Sequence, residues 1–426
     1  MPATIEDVFS QFDPLEALAA DDPRYVDCNK ARGIPSIAER IKLWASGSPP
    51  RTLLFSGYIG DGKTTLLRWL AAQLEQKGYF VAFAQVDQRL HPSDVDVEDV
   101  ILLVLAVVDQ RLREVYGETL QDSLLQQRLQ GLWELLTRDI NAPKIEVNVP
   151  LLKLIADMKA APGVRQELRS RLRMVQGPTF LEVTNLYLER AQQIIQDRGR
   201  KQLVVILDGF DRLFRGVPSD VSPDLRLLLD QASQLNLINA HVIYTISLSL
   251  ARRQRENLSA RYGNRPIVLP LIPPLQRDGQ PHVEGLNALK EIIAKRLEQV
   301  GTTLAQAFDS EATVERLCQV NGGYLRGLMA LVQEVCVEAL AVHPELPLTR
   351  ADAEVAIQHL SADLRDNAQR YLEELRTVAE THTLAKIDDA IEQLMLDQHL
   401  VHQYYDGEYW YDICEPIKKQ LRGRNS

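Results

Sequence analysis

The tightest constraint on the fold is one short run, Gly57-Tyr58-Ile59-Gly60-Asp61-Gly62-Lys63-Thr64. It fits the spacing G-x-x-x-x-G-K-[ST] at every position. An apolar stretch, 52–56, precedes it, and Leu66, Leu67, Leu70 and Leu74 follow at helical spacing. Strand, glycine-rich loop and helix in that order form a cradle for phosphate. The glycines let backbone N–H groups wrap an anion, and the helix N-terminus adds positive potential. Lys63 is expected to reach the β- and γ-phosphates of a nucleotide, with the Thr64 hydroxyl on Mg²⁺ and Thr65 beside it. A chance glycine-rich turn is the competing reading, and the register of all three pieces speaks against it.

Further apolar runs at 79–86, 203–207, 241–246 and 266–271 read as strands, and 64–76 and 180–197 read as helices. The middle runs are nearly continuous in Val, Ile and Leu, as expected for parallel strands covered on both faces. Strands alternating with helices imply βαβ units, and so an α/β fold with a parallel sheet. A mostly helical insertion, about 90–176, separates the second and third strands, with helical spacing at 97–115 and 164–174. Beyond Leu271 helices dominate, at 284–300 and 324–341.

A C-terminal unit opens after Pro344 and Pro347. It ends in two β-type runs, 400–405 and 408–411, around Asp406-Gly407. Asp-Gly between such runs is a strong hairpin signal, because both central turn positions need positive φ. Helices closed by a hairpin suggest a winged-helix-like domain; a helical tail whose hairpin packs on the core is the alternative. The expected divisions are an N-terminal linker (1–50), an α/β core (51–272), a helical lid (273–346) and the winged-helix-like domain (347–426).

The run Val204-Val205-Ile206-Leu207-Asp208 places a carboxylate at the end of a buried strand. Open α/β sheets bind ligands at that edge. Asp208 is expected to hold Mg²⁺. Asp211 either orients an attacking water or caps a helix.

Composition narrows the classes. The 426 residues suffice for two to four domains. No window approaches the ~18 apolar residues of a membrane span, and residues 1–16 lack a signal-peptide pattern. The four cysteines, Cys28, Cys318, Cys336 and Cys414, lie far apart and read as cytoplasmic thiols rather than a zinc site. A net charge of -10 argues against a whole-surface nucleic-acid binder.

The phosphate loop and Asp208-Gly209-Phe210-Asp211 resemble the AAA+ and STAND groups of P-loop NTPases. The order of core, helical lid and winged helix is similar to the replication-initiator clade of AAA+ proteins. Those enzymes usually carry Asp-Glu at the second motif, where this chain has Asp208-Gly209. The Asp-Gly-x-Asp form is similar to NACHT-type STAND ATPases, nucleotide-gated switches, which implies slow rather than motor-like hydrolysis. The resemblance also implies that 241–246 is a sensor strand between the two motif strands. Thr245 or Ser247 would then touch the γ-phosphate or the attacking water; an ordinary strand residue is the alternative. Asn321-Gly322-Gly323-Tyr324-Leu325-Arg326 resembles the start of a second-sensor helix, with Arg326 reaching the γ-phosphate, against a solvated helix arginine. Tyr25 and Val26 lie where related ATPases contact adenine.

Arg252, Arg253, Arg255, Arg261 and Arg265 fit an arginine finger, an acidic-partner patch or a solvated face. Lys418, Lys419, Arg422 and Arg424 form a basic patch near Tyr404, Tyr405, Tyr409, Trp410 and Tyr411, aromatics that by default belong to the core. Three functions compete. One is an ATP- and Mg²⁺-dependent conformational or assembly switch that self-associates or acts on a separately encoded partner or effector, as in bacterial defence or signalling. The second is an initiator-like protein that binds DNA through its C-terminal domain. The third is a scaffold that holds ATP constitutively.

Overall fold

The computed structural model describes residues 2–92, 94–117, 155–156, 159–173, 179–213, 223–385, 387 and 389–423. It divides into two compact units. One comprises Ala38–Ser56 and Leu70–Val268; the other comprises Met1–Ile37, Gly57–Trp69 and Leu269–Ser426.

The first unit is built on the sheet expected from the sequence. Strands β1 (Thr52–Gly57), β2 (Phe80–Gln85), β3 (Leu203–Asp208), β4 (His241–Ile246) and β5 (Ile267–Leu269) lie in the order β2-β3-β4-β1-β5. The β2–β3, β3–β4 and β4–β1 pairs are parallel, and β4 runs between the two motif strands. Every residue of β3 and β4 is buried. That explains their uninterrupted Val and Ile content, each such side chain contributing roughly 1.5–3 kcal/mol when fully buried. The strand β5 is shorter than expected because Pro266 and Pro270 flank it and neither has an N–H for a ladder.

The helices that cover the sheet carry their own start signals. Phe180–Asp197 begins at a capping box between Thr179 and Glu182, and Val97–Tyr116 at one between Asp96 and Asp99. Val97–Tyr116 buries thirteen residues, so it is a core helix rather than a surface one. Its C-cap, Gly117, takes φ 67°, the left-handed turn a helix end needs. Of the expected insertion, Pro162–Arg173 is also helical; 118–154, 157–158 and 174–178 lie outside the described residues.

The second unit is mainly helical. The segment expected as a lid forms Val283–Glu298, Glu311–Asn321 and Leu325–Val342. The helices Arg350–Ala368, Leu372–Thr381 and Asp389–Asp397 follow. Then comes the antiparallel hairpin of β6 (Val401–Tyr405) and β7 (Tyr409–Ile413), with Tyr404 opposite Trp410. Tyr404, Trp410 and Tyr411 are buried, while Tyr405 and Tyr409 are half-buried, so most of the aromatic set is core. A last helix, Glu415–Gly423, was not foreseen. Nor was the N-terminal helix Ile5–Ser10, whose Thr4 and Asp7 form a capping box. All four cysteines are buried free thiols, and among the described residues no helix is long and apolar enough to cross a membrane.

Candidate functional site: the phosphate loop and the aspartate strand

The phosphate loop belongs to the mainly helical unit. Gly60 and Gly62 take φ 91° and 83°, values that a side chain would strain. Lys63 opens the helix Lys63–Gln76 and is buried within the loop. Its Nζ donates to the carbonyls of Gly57 (2.8 Å) and Tyr58 (2.7 Å), so the ammonium sits inside the curl of the loop. Positive-φ glycines, an enclosed ammonium and a helix N-terminus are the donor set that fits a polyphosphate. Thr64 and Thr65 follow, half-buried on the first helical turn. Thr65 Oγ1 accepts from the Leu18 N–H at 3.1 Å. Ile59 is half-buried at the loop tip.

Arg326 is at the loop. Its backbone N–H donates to the Gly60 carbonyl (3.0 Å), and its Nε donates to the Pro14 carbonyl (3.1 Å). A Cβ on Gly60 would meet Arg326 Cβ at 2.7 Å and the Tyr324 hydroxyl at 2.8 Å, so glycine is needed there for the helix to approach. Gly322 and Gly323 serve the same end. A Cβ on Gly323 would collide with the Ile272 carbonyl, and one on Gly322 with the His402 imidazole. The Gly-Gly turn therefore lets Leu325–Val342 start directly against the loop.

The terminal hairpin meets the same loop. Tyr58 Oη donates to the Val401 carbonyl (2.9 Å) and Tyr404 Oη to the Gly322 carbonyl (2.7 Å), both bonds buried. Tyr324 stacks on His399, ring centroids 3.9 Å apart. Lys418 pairs with Asp412 at 2.5 Å and Lys419 with Glu415 at 2.9 Å, so both lysines of the expected basic patch have acidic partners. The side chain of Arg422 and all of Arg424 lie outside the described residues.

Tyr25 stacks on Trp69 of the loop helix, centroids 5.1 Å apart and rings 17° from parallel; Val26 packs on the apolar core of this unit. The adenine candidates thus stand near the helix that follows the loop. Burial pushes the Tyr25 phenol above its ordinary range.

The aspartate strand belongs to the sheet-bearing unit. Asp208 is fully buried at the end of β3, and Arg212, one helical turn on, pairs with it at 3.4 Å. Arg212 also pairs with Asp87 at 3.1 Å. Burial raises the Asp87 pKa and the Arg212 charge opposes that rise. Gly209 takes φ 104°, and a Cβ there would lie 2.5 Å from Asp87 Oδ1. Glycine suits this position: no L side chain fits after Asp208 while Asp87 stays where it is. The Gly209 N–H donates to Thr245 Oγ1 at 2.7 Å, tying β4 to the turn after β3. Asp211 is buried in the short helix Phe210–Leu213. Ser247 caps the helix Leu248–Arg253 and donates to Asp224 at 3.0 Å, which gives it a structural use. Of the arginine cluster, Arg255, Arg261 and Arg265 are exposed, whereas Arg252 and Arg253 are half-buried.

Each unit gathers its share of the sequence candidates. Lys63, Thr64, Tyr58 and Arg326 meet in one, Asp208, Gly209 and Thr245 in the other. Sequence reasoning missed Asp87 and Arg212 around Asp208. Arg212 stands four residues beyond Asp208 and was open to discovery by spacing; Asp87 is brought in only by the β2–β3 pairing. It also missed the partners of Asp61, fully buried in the loop and ion-paired to Arg32.

No protein-family model matches the chain, and no curated protein matches it. Among solved structures it is similar to the Aeropyrum pernix ORC2 protein in its ADPNP-ADP complexes. The TM-score is 0.42 at 14% identity, over 97% of this chain and 98% of that one. It is also similar to CDC6P from Pyrobaculum aerophilum, with a TM-score of 0.38 at 13% identity, over 97% and 98%. The Thermotoga maritima RuvB Holliday junction branch migration motor gives 0.39 at 13% identity, over 94% and 99%. Likeness at this level carries no functional argument, and the site stands on the chain's own residues.

Proposed function

We propose that the chain is an AAA+-type ATPase that binds ATP with Mg²⁺, hydrolyses it slowly, and works as a nucleotide-dependent conformational or assembly switch. The observation that carries the proposal is the phosphate loop with Lys63 enclosed in it and Arg326 bonded to Gly60. Lys63 and the loop amides bind the β- and γ-phosphates. Thr64 and Asp208 supply oxygen donors of the kind Mg²⁺ takes, and the ion, when bound, neutralises phosphate charge. Thr245 holds the Gly209 N–H and so fixes the backbone after Asp208. Asp211 is the remaining carboxylate of the motif able to orient a water. With no carboxylate at Gly209, turnover is slow and the bound state is long-lived.

Arg326 sits on a helix whose start touches the loop, so a phosphate that engages its guanidinium shifts that helix. A ligand moves a conformational equilibrium only through differential contact with its two states. ATP engages Arg326 and ADP does not, and the output is a change in self-association or in contact with a separate partner. Hydrogen exchange over Val283–Glu298 and Leu325–Val342 tests this, with ATP-bound protein slower than ADP-bound, and Arg326→Ala erasing the difference. Identical exchange in both nucleotides would leave the constitutive scaffold. An initiator-like reading requires duplex DNA affinity that falls steeply with salt. The pairing of Lys418 and Lys419 with acidic neighbours weighs against it.

A further inference from the structure

We propose that Arg32 is a positioning residue of the phosphate loop, one that cancels the charge of Asp61 and fastens the loop backbone so that an anionic ligand can enter; the inference rests on the nucleotide reading above. Asp61 lies in the loop itself, two residues before Lys63, with no exposed surface. A carboxylate within the loop works against the binding of an anion, because two negative charges repel across a short distance. Arg32 resolves the conflict. Its Nη1 reaches Asp61 Oδ2 at 2.5 Å and also donates to the Pro270 carbonyl, while its Nη2 donates to the Asp61 carbonyl at 3.2 Å. One guanidinium therefore joins the side chain and backbone of a loop residue to the segment just beyond β5. Arg32 is itself buried, at 4% exposure, so the charge pair is screened little by solvent.

A second observation points the same way. Asp61 Oδ1 is buried with no hydrogen-bond partner among the described residues. Buried polar atoms are mostly hydrogen-bonded, so an unbonded carboxylate oxygen calls for an explanation. Here one oxygen is held by Arg32 and the other is left to the electrostatics of the loop, so the balance of charge depends on the arginine. Removing one partner of a buried pair leaves the other uncompensated. Loss of Arg32 thus leaves the Asp61 carboxyl without the guanidinium that offsets its burial, which already pushes its pKa up to about 6; the charge it keeps above that pH opposes the triphosphate more than the diphosphate.

The test is a double-mutant cycle on the full chain, with fluorescent ATP and ADP analogues as probes and Lys63→Ala as the reference. Arg32→Ala is expected to weaken ATP binding by about tenfold or more, and ADP binding by less. Asp61→Asn, which keeps the shape and removes the charge, is expected to bind ATP at least as tightly as the parent. The double variant is expected to recover to within about threefold of the parent, a rescue that a purely structural arginine would not show. A double variant as weak as Arg32→Ala would overturn the inference, as would unchanged binding in Arg32→Ala. If Arg32→Ala fails to fold, Asp61→Asn alone decides, because a clear loss of ATP affinity there contradicts the proposed charge conflict. Failure of the nucleotide reading looks different: the parent binds neither analogue, or Lys63→Ala binds both as well as the parent does.

Discussion

Replacing Gly209 with glutamate creates an Asp-Glu pair at the end of β3 and should destabilise the protein. At φ 104° a non-glycine residue carries backbone strain of about 1–3 kcal/mol. Its Cβ would lie 2.5 Å from Asp87 Oδ1 and 3.0 Å from Arg212 Nη2, so Asp87 must leave its place beside Arg212. That ion pair is part-exposed and contributes no more than about 1 kcal/mol. Together the terms destabilise by roughly 1–4 kcal/mol, a fall in melting temperature on the order of 2–15 °C. Gly209→Ala should show most of the loss, since strain and collision both begin at Cβ. Adding Asp87→Ala should return the steric part and leave the backbone part. Thermal unfolding of the four proteins, alongside steady-state phosphate release, gives both readouts. A Gly209→Glu protein that melts with the parent would refute the steric account, and one that folds but hydrolyses ATP no faster would refute the missing carboxylate as the reason for slow turnover.

Asp208→Asn should lower Mg²⁺-dependent binding and hydrolysis together, whereas Asp211→Asn should spare binding and slow turnover; unchanged turnover in the latter would make Asp211 a structural residue. Tyr58→Phe removes a buried hydrogen bond to Val401 and should cost about 1–2 kcal/mol, with faster hydrogen exchange in β6; an unaltered hairpin would show that the bond holds nothing. His402 is fully buried and its imidazole is pushed down to about 4 from an ordinary 6.5. The unfolded chain therefore takes up that proton first, so stability should be lost as pH falls from about 6.5 toward 4. Denaturant midpoints across that range, with His402→Gln flattening the slope, check the sign.

Much of the sheet was legible because its signals are local. Continuous Val and Ile runs mark strands buried on both faces, and 180–197 begins and ends where the sequence places it because Thr179 caps it. The hairpin was equally plain, since Asp406-Gly407 admits few other backbones. What was not legible depends on distant contacts. Pro266 and Pro270 shorten β5, though the apolar pattern continues past it. Gly209 reads as an omission in the sequence, and only the β2–β3 pairing reveals Asp87 in the space a side chain would need. Arg32 carries no motif signal in the sequence, and Arg326 reads only as a γ-phosphate contact. Their bonds to Asp61 and Gly60 join residues far apart in the chain, where periodicity gives no signal. The aromatic pattern of the hairpin showed that it had a buried face, but not that the face meets Tyr58 and Gly322.

The central claim is that the loop around Lys63 binds the phosphates of ATP. Isothermal titration of the purified chain with Mg²⁺-ATP tests it most directly, with the parent compared against Lys63→Ala. Lys63 Nζ donates to the Gly57 and Tyr58 carbonyls of its own loop, and circular dichroism of Lys63→Ala checks that the fold stands without them. The account predicts one saturable site in the parent and an affinity lower by about a hundredfold in the folded variant, the loss of a buried charge-assisted contact. Equal affinity in parent and variant, or no binding by the parent, would contradict it.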